Sequence, residues 1–91
     1  MRKRSRLEIY LDVLEAVSKV GKLTHIGNLA NLSWKDTVKH LGFLELNGFV
    51  KRNKRKDGSE EYILTQKGLE ALNTLRKITE ALTFKVEVYN E

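Results

Sequence analysis

Cations gather in two short stretches of this chain. Residues 2 to 6 carry four arginine or lysine side chains and no acid, and residues 51 to 56 carry five more. Such clusters suit contact with the phosphates of a nucleic acid, and the net charge of +5 agrees with a polyanionic partner. The alternative for the second stretch is a solvated edge strand protected from aggregation by its charge, but protection requires fewer cations. The predicted phosphate contacts are Arg2, Lys3, Arg4, Arg6, Arg52, Lys54, Arg55 and Lys56.

Residue types that support catalysis or metal binding are scarce. There is no cysteine, and neither His25 nor His40 has an acidic residue at a spacing that would complete a metal site. No serine has a plausible base and orienting acid nearby, and the glycines do not form a phosphate-binding loop. We therefore expect no enzymatic activity, no metal, no cofactor and no small-molecule substrate.

The N-terminal region lacks the features of an export signal. Its basic residues are followed by a helical pattern that contains Glu8, Asp12 and Glu15, so the uncharged apolar run of a signal peptide or membrane span is missing. The absence of cysteine, and therefore of disulfides, fits an intracellular protein. We expect a cytoplasmic, nucleoid-associated protein that does not contact membranes.

A capped helix is predicted over residues 33 to 47 and is the best candidate for a recognition helix. Ser33 precedes the periodic segment and Asp36 follows three residues later, which is the spacing of a capping box. Gly48 can adopt the left-handed conformation that ends a helix, and a β-pattern begins directly after it.

The side chains of this helix divide into two faces. Val38, Leu41 and Leu44 recur at helical spacing and are expected to face the core, whereas Lys35, Asp36, Lys39 and His40 fall on the opposite side. Trp34 either contacts a sugar or thymine methyl group or fills the groove between the second and third helices. The predicted nucleic-acid contacts on this helix are Ser33, Trp34, Lys35, Lys39 and His40.

Two earlier helices lead into the recognition helix. Ser5 and Glu8 form another capping box, and the wide apolar face that follows predicts a central first helix ending at Gly21. Thr24 is a plausible N-cap for a helix of about two turns ending near Ala30. This short helix and the recognition helix are joined by a short link, and the recognition helix is the longer of the two and is capped. Such a pair is typical of a helix-turn-helix.

A hairpin is predicted directly after the recognition helix. Residues 49 to 56 begin as a strand, Asp57 and Gly58 suit a tight turn, and residues 60 to 64 resume a strand pattern. A hairpin in this place is a wing, and here it is strongly basic.

The last predicted helix has more apolar surface than one small domain can cover. Thr65 caps it, with Leu64 and Leu69 as a hydrophobic staple, and Leu69 and Leu72 can reach the core. A second stripe favours a two-fold dimer over a helix that lies flat on the domain. The tail shows a strand-like alternation with no obvious partner. The predicted dimer contacts are Ala71, Leu75, Ile78 and Leu82.

The sequence resembles the small archaeal chromatin-associated winged-helix proteins of the ten-kilodalton class. The resemblance covers about residues 5 to 82 and rests mainly on the NLSW turn, residues 31 to 34, and on TQKG, residues 65 to 68. It implies a homodimer joined by an antiparallel coiled coil of C-terminal helices, which binds duplex DNA with little sequence preference. The last helix looks shorter than in that family and the wing is more basic, which leaves room for a sequence-specific regulator.

The combined prediction is an α+β winged helix-turn-helix with a C-terminal dimerisation helix. Its parts are a flexible basic arm over residues 1 to 6, the winged domain over 7 to 64, the dimerisation helix over 65 to 82 and a tail over 83 to 91. The predicted function is binding of double-stranded DNA as a transcription regulator or chromatin-associated protein. The alternatives are a protein-interaction winged helix with an acidic partner and a single-stranded nucleic-acid binder, which the lack of an aromatic row disfavours.

Overall fold

The computed structural model describes the backbone of residues 4 to 90 and the side chains of residues 4 to 82. The predicted α+β class is confirmed, and the hairpin follows the third helix. The elements in chain order are α1 (Arg6–Lys19), α2 (Leu23–Ala30), α3 (Trp34–Leu46), β1 (Val50–Lys54), β2 (Glu60–Leu64) and α4 (Gln66–Asn90).

Helix α1 forms the centre of the domain and contacts α2, α3, β2 and α4. Its start is fixed by the predicted capping box, in which the Ser5 hydroxyl accepts from the Glu8 N–H at 3.1 Å and the Glu8 carboxylate accepts from the Ser5 N–H at 2.9 Å. Around it, every other element contributes to one continuous apolar core. The largest fully buried apolar side chains are Val13, Leu14, Ile26, Leu41, Val50 and Leu72.

The turn between α2 and α3 depends on two backbone features. Asn31 ends α2 in the left-handed region, with φ of 56°, where asparagine is tolerated better than most residues. A Cβ atom at Gly27 would lie 2.7 Å from the Thr37 hydroxyl, so glycine at this position lets the two helices approach closely. The predicted N-cap at Thr24 is wrong, because α2 begins two residues after Gly21, with Lys22 as N-cap and no side-chain cap.

The hairpin pairs β1 and β2 as antiparallel strands, with Val50 opposite Leu64 and Lys54 opposite Glu60. Gly58 takes a φ of 89° in the connecting turn, as predicted for the Asp57 and Gly58 pair. The hairpin is attached to the helical part by the Tyr62 N–H, which donates to the Gly21 carbonyl at 2.8 Å.

Helix α4 starts as predicted and continues further than predicted. The Thr65 hydroxyl accepts from the Gly68 N–H at 3.0 Å and donates to the Gly48 carbonyl at 2.5 Å, which joins the start of α4 to the end of α3. The strand-like interpretation of residues 83 to 91 is wrong for the described backbone, which is helical through Asn90. No proline or glycine follows Gly68, so nothing in the local sequence ends the helix.

The core uses less of α4 than its two apolar stripes suggest. Leu72 is fully buried and Ala71 and Leu75 are partly buried against the core, whereas Leu69 is 42% exposed and does not reach into it. None of the helices in the described part of the chain has a stretch long and apolar enough to cross a membrane.

Candidate nucleic-acid interface

Helix α3 is set into the domain at a different rotation from the one predicted. Its buried side chains are Thr37, His40, Leu41 and Leu44, which follow one another at spacings of three, one and three. Val38 is 45% exposed, so its assignment to the core is wrong. Thr37 can be buried because its hydroxyl donates to the Ser33 carbonyl at 2.7 Å and therefore keeps a hydrogen-bond partner.

His40 belongs to the interior of the domain and cannot reach a nucleic acid from there. It is 9% exposed, and its ring meets that of Tyr10 edge to face with a centroid separation of 5.7 Å. Tyr10 in turn stacks on Phe43 at 5.1 Å. Burial lowers the pKa of His40, with a further lowering from Lys39, so the neutral imidazole is favoured. The prediction that His40 contacts DNA is therefore wrong.

The start of α3 contains one half of the predicted capping box: the Ser33 hydroxyl bonds to the backbone, and no bond from the Ser33 N–H to the Asp36 carboxylate is found among the described residues. The Ser33 hydroxyl accepts from the Asp36 N–H at 3.1 Å, which fixes the first turn. The outward face of the helix then carries Lys35, Val38, Lys39, Gly42 and Leu46, at spacings of three, one, three and four.

Trp34 lies beside this outward face and is 64% exposed. Of its two possible uses, packing in the groove between α2 and α3 would require burial. The exposed indole is consistent with the other use, contact with a bound molecule.

The basic wing contains two kinds of cation. Arg52 bonds to Glu45 of α3 at 3.0 Å, and Arg55 bonds to Glu61 across the hairpin at 3.3 Å. All five cations of residues 51 to 56 are exposed. The three lysines, Lys51, Lys54 and Lys56, form no ion pair with any residue that the structure describes.

Arg4 has a structural role that the sequence did not predict. Its guanidinium donates to the Ala30 carbonyl at 2.6 Å and to the Asn31 carbonyl at 2.8 Å, and so satisfies free carbonyls at the end of α2. It also pairs with Asp12 at 2.7 Å. The arm predicted over residues 1 to 6 is therefore anchored at Arg4, and Ser5 and Arg6 belong to the start of α1.

The remaining predicted cations are either exposed or not described. Arg6 is exposed at the first position of α1. Arg2 and Lys3 lie outside the described residues, so their predicted phosphate contacts stay predictions.

No group of three or more histidine, cysteine, aspartate or glutamate side chains in residues 4 to 82 is placed to hold a metal ion.

Apolar side chains line a groove of about 320 Å³ between α1, α3 and α4, with Tyr10, Phe43, Phe49 and Leu75 on its walls.

The domain has three helices, of which the third is capped, and a two-stranded hairpin follows the third helix directly. This arrangement defines a winged helix-turn-helix protein. A profile described as "Winged helix-turn-helix" matches residues 3–83, and the chain belongs to this family. It is 32% identical over 84 residues to the uncharacterized protein MJ0287 of Methanocaldococcus jannaschii, an alignment that covers 91% of this chain and 81% of the relative.

Solved structures with the same fold include archaeal proteins. Sso10a-2, described as a DNA-binding protein from Sulfolobus solfataricus, superposes with a TM-score of 0.75 at 23% identity, covering 96% of this chain and 94% of that one. The transcriptional regulator BldR from the same organism gives a TM-score of 0.77 at 17% identity, but this chain spans only 58% of its length. The resemblance to small archaeal winged-helix proteins is confirmed.

Proposed function

We propose that this protein binds double-stranded DNA as a regulator of transcription or a chromatin-associated protein. The observation that carries the proposal is the combination of exposed wing lysines, which form no ion pair within the described part of the chain, with Lys35 and Lys39 on the outward face of α3. A polyanion that touches both surfaces at once meets positive charge at each of them. Sso10a-2, which shares the fold and is described as a DNA-binding protein, supports the proposed partner, and BldR, described as a transcriptional regulator, supports the proposed role.

In this proposal α3 lies at the major groove and the wing lies on the neighbouring backbone. The N-terminal half of a recognition helix normally contacts the base edges, which here brings Ser33, Trp34 and Lys35 to the groove. The wing lysines contact phosphates without having to give up an ion pair with a described residue. Arg52 and Arg55 must first exchange their glutamate partners for a phosphate, so we expect them to contribute less.

We further propose that the protein acts as a homodimer through α4. Ala71 and Leu75 are already partly covered by the domain, but Ile78 and Leu82 are 52% and 57% exposed. They lie on a helix that continues past the core, and a second copy would cover them. A dimer would place two recognition helices and two wings on one duplex. The role would be non-enzymatic and the location cytoplasmic, at the nucleoid.

The test is duplex binding at a series of salt concentrations, measured by fluorescence anisotropy with a short labelled duplex. Changing Lys51 and Lys54 together to alanine should weaken binding to all sequences alike. It should also make the slope of log affinity against log salt shallower by about 0.9 for each phosphate that the variant no longer neutralises. The matched control changes Lys19 and Lys77 to alanine, which removes the same charge from α1 and α4, and should leave the slope unchanged.

Absence of duplex binding by the wild-type protein at low salt would contradict the proposal. Equal weakening by the wing pair and the control pair would show that only net charge matters. If the wild-type protein binds no duplex, the protein-interaction alternative, in which the wing meets an acidic partner, replaces the proposal.

A further inference from the structure

We propose that the outward face of α3 makes this protein prefer thymine, because Val38 and Trp34 contact thymine 5-methyl groups in the major groove. The inference rests on the proposed function and adds a preference among bases to it. It uses two of the four exposed large apolar side chains of α3, the two that lie in its N-terminal half.

The first observation is where these side chains lie. Trp34 and Val38 are one helical turn apart in the N-terminal half of α3, and are 64% and 45% exposed. That half of a recognition helix is the part that meets base edges. A single exposed apolar residue is ordinary, but two neighbours at a base-reading position are a specific arrangement.

The second observation is the charge around them. Lys35 and Lys39 follow Trp34 and Val38 directly along the helix and outnumber the one exposed acid between them, Asp36, so the border of the apolar pair carries a net positive charge. A protein-interaction patch of the same size would fit a partner that is itself apolar. A cationic border fits a partner whose apolar groups lie between rows of negative charge, as thymine methyl groups lie between the phosphates of the major groove.

The third observation is which hydrogen-bonding side chains α3 offers. Its sequence, WKDTVKHLGFLEL, contains no arginine, asparagine or glutamine, the residues that form the commonest bidentate bonds with guanine or adenine. Its polar residues Thr37 and His40 are buried, and Glu45 holds Arg52. Apart from the two lysines and the exposed Asp36, which can accept a hydrogen bond from cytosine, the contacts left to the helix are apolar. The methyl group of thymine is the apolar feature of the major groove.

Gly42 helps the helix approach closely enough. It lies one turn after Val38, and a Cβ atom built there would meet nothing within 4 Å, so the packing of the domain does not require glycine. Glycine inside a helix is unfavourable relative to alanine. A bare backbone on the outward face lets α3 sit deeper in the groove, which brings Val38 within reach of a methyl group.

The experiment compares duplexes of one sequence that contain either thymine or deoxyuracil, which lacks only the 5-methyl group. At fixed salt, the wild-type protein should bind the thymine duplex about fourfold more tightly for each methyl group that it contacts. In a G·C duplex, replacing cytosine by 5-methylcytosine adds a methyl group at the same groove position and should also strengthen binding.

Matched variants assign the preference to its residues. Val38→Ala and Trp34→Ala should each reduce the ratio between thymine and deoxyuracil duplexes while the salt slope stays at the wild-type value. Leu46→Ala removes an exposed apolar side chain from the far end of α3 and should keep the ratio. Circular dichroism melting of each variant checks that it is folded.

The outcomes separate the thymine preference from duplex binding itself. A wild-type protein that binds both duplexes equally well overturns the thymine preference and leaves the proposed function standing. A preference that survives in both Val38→Ala and Trp34→Ala arises from the shape of the duplex and also overturns the inference. Failure to bind any duplex overturns the proposed function.

Discussion

The environment of His40 changes the protonation of its side chain. Its imidazole lies inside the domain against Tyr10, and burial is the largest cause of its lowered pKa. Lys39, Arg6 and Arg4 lower the pKa further, and only Asp36 raises it. Because the folded protein holds the proton less well than the unfolded chain, protonation favours unfolding. Stability is complete above the ordinary histidine pKa and falls as the pH drops below it.

The melting temperature should depend on pH with that sign. Between about pH 7 and about pH 5 the melting temperature of the wild-type protein should fall, because the unfolded chain gains a proton that the folded chain resists. His40→Gln should weaken this dependence, measured by thermal melting in a series of buffers. His25→Gln is the control, since His25 is exposed, and should keep the wild-type profile. Identical profiles for all three proteins would mean that burial of His40 does not disfavour its protonated form, and would contradict this prediction.

The rotation of α3 shows what a hydropathy pattern can and cannot predict about single residues. The pattern places Leu41 and Leu44 correctly, but it puts Val38 in the core instead of the polar Thr37 and His40. Thr37 is buried at low cost only because its hydroxyl bonds within the helix, and His40 because an aromatic ring covers it. Both compensations arise from three-dimensional contacts, so sequence periodicity alone favours the valine.

At the scale of elements, local chemistry predicts a helix start where a side chain caps it, and it fails for α2, whose start has no side-chain cap. Ser5, Ser33 and Thr65 all accept a hydrogen bond from the backbone three residues on, which is a short-range interaction that the sequence shows directly. The predicted end of α4 is wrong because strand-like alternation carries little weight where no breaker residue ends the helix. The anchoring of Arg4 joins residues 26 positions apart and has no local signature.

The attachment of α4 to α1 gives a prediction at this scale. Arg76 donates two hydrogen bonds to the Glu15 carboxylate, at 2.5 and 2.7 Å, across 61 residues of sequence. This bond is the main reason that the pKa of Glu15 is lowered, so the pair stabilises the fold above the ordinary glutamate pKa and loses that effect as the pH falls. Since both side chains are partly exposed, water and salt screen the pair and its contribution is small.

Arg76→Gln should therefore lower the melting temperature at neutral pH by a few degrees at most. At about pH 3 the difference from wild type should shrink, since the protonated carboxyl no longer gains from the arginine. Lys77→Gln, the neighbouring exposed cation, is the control for loss of charge. A difference that stays constant with pH would mean that Arg76 acts through its packing and not through Glu15.

At the scale of the whole molecule, the sequence predicts that α4 has a surplus apolar stripe, and the fold divides that stripe in two. Ala71 and Leu75 pack on the core of their own domain and line the groove beside it. The sequence alone does not show how far along α4 this contact with the core extends. Ile78 and Leu82 are the exposed remainder. Beyond Arg76 the helix continues through Asn90, about 21 Å at 1.5 Å per residue.

Dimerisation through α4 should set the salt dependence of DNA binding. Three wing lysines per subunit give about six phosphate contacts in a dimer, and hence a slope of log affinity against log salt of about −5. Ile78→Gln with Leu82→Gln removes apolar burial twice across a two-fold axis without changing the charge, so it should give a folded monomer by light scattering. The monomer should bind with a slope of about −3, because only one wing remains on the duplex.

Leu29→Gln, a change at an exposed leucine on α2, is the control and should keep both the dimer and the steep slope. If the wild-type protein is a monomer, or if the double variant stays dimeric, the α4 interface is wrong, and the duplex-binding proposal continues on a single wing. If the variant is monomeric yet keeps the slope of about −5, the phosphate contacts cannot be divided equally between two wings. One subunit must then supply them all, which would move the main electrostatic contact from the wings to the lysines of α3 and the arm.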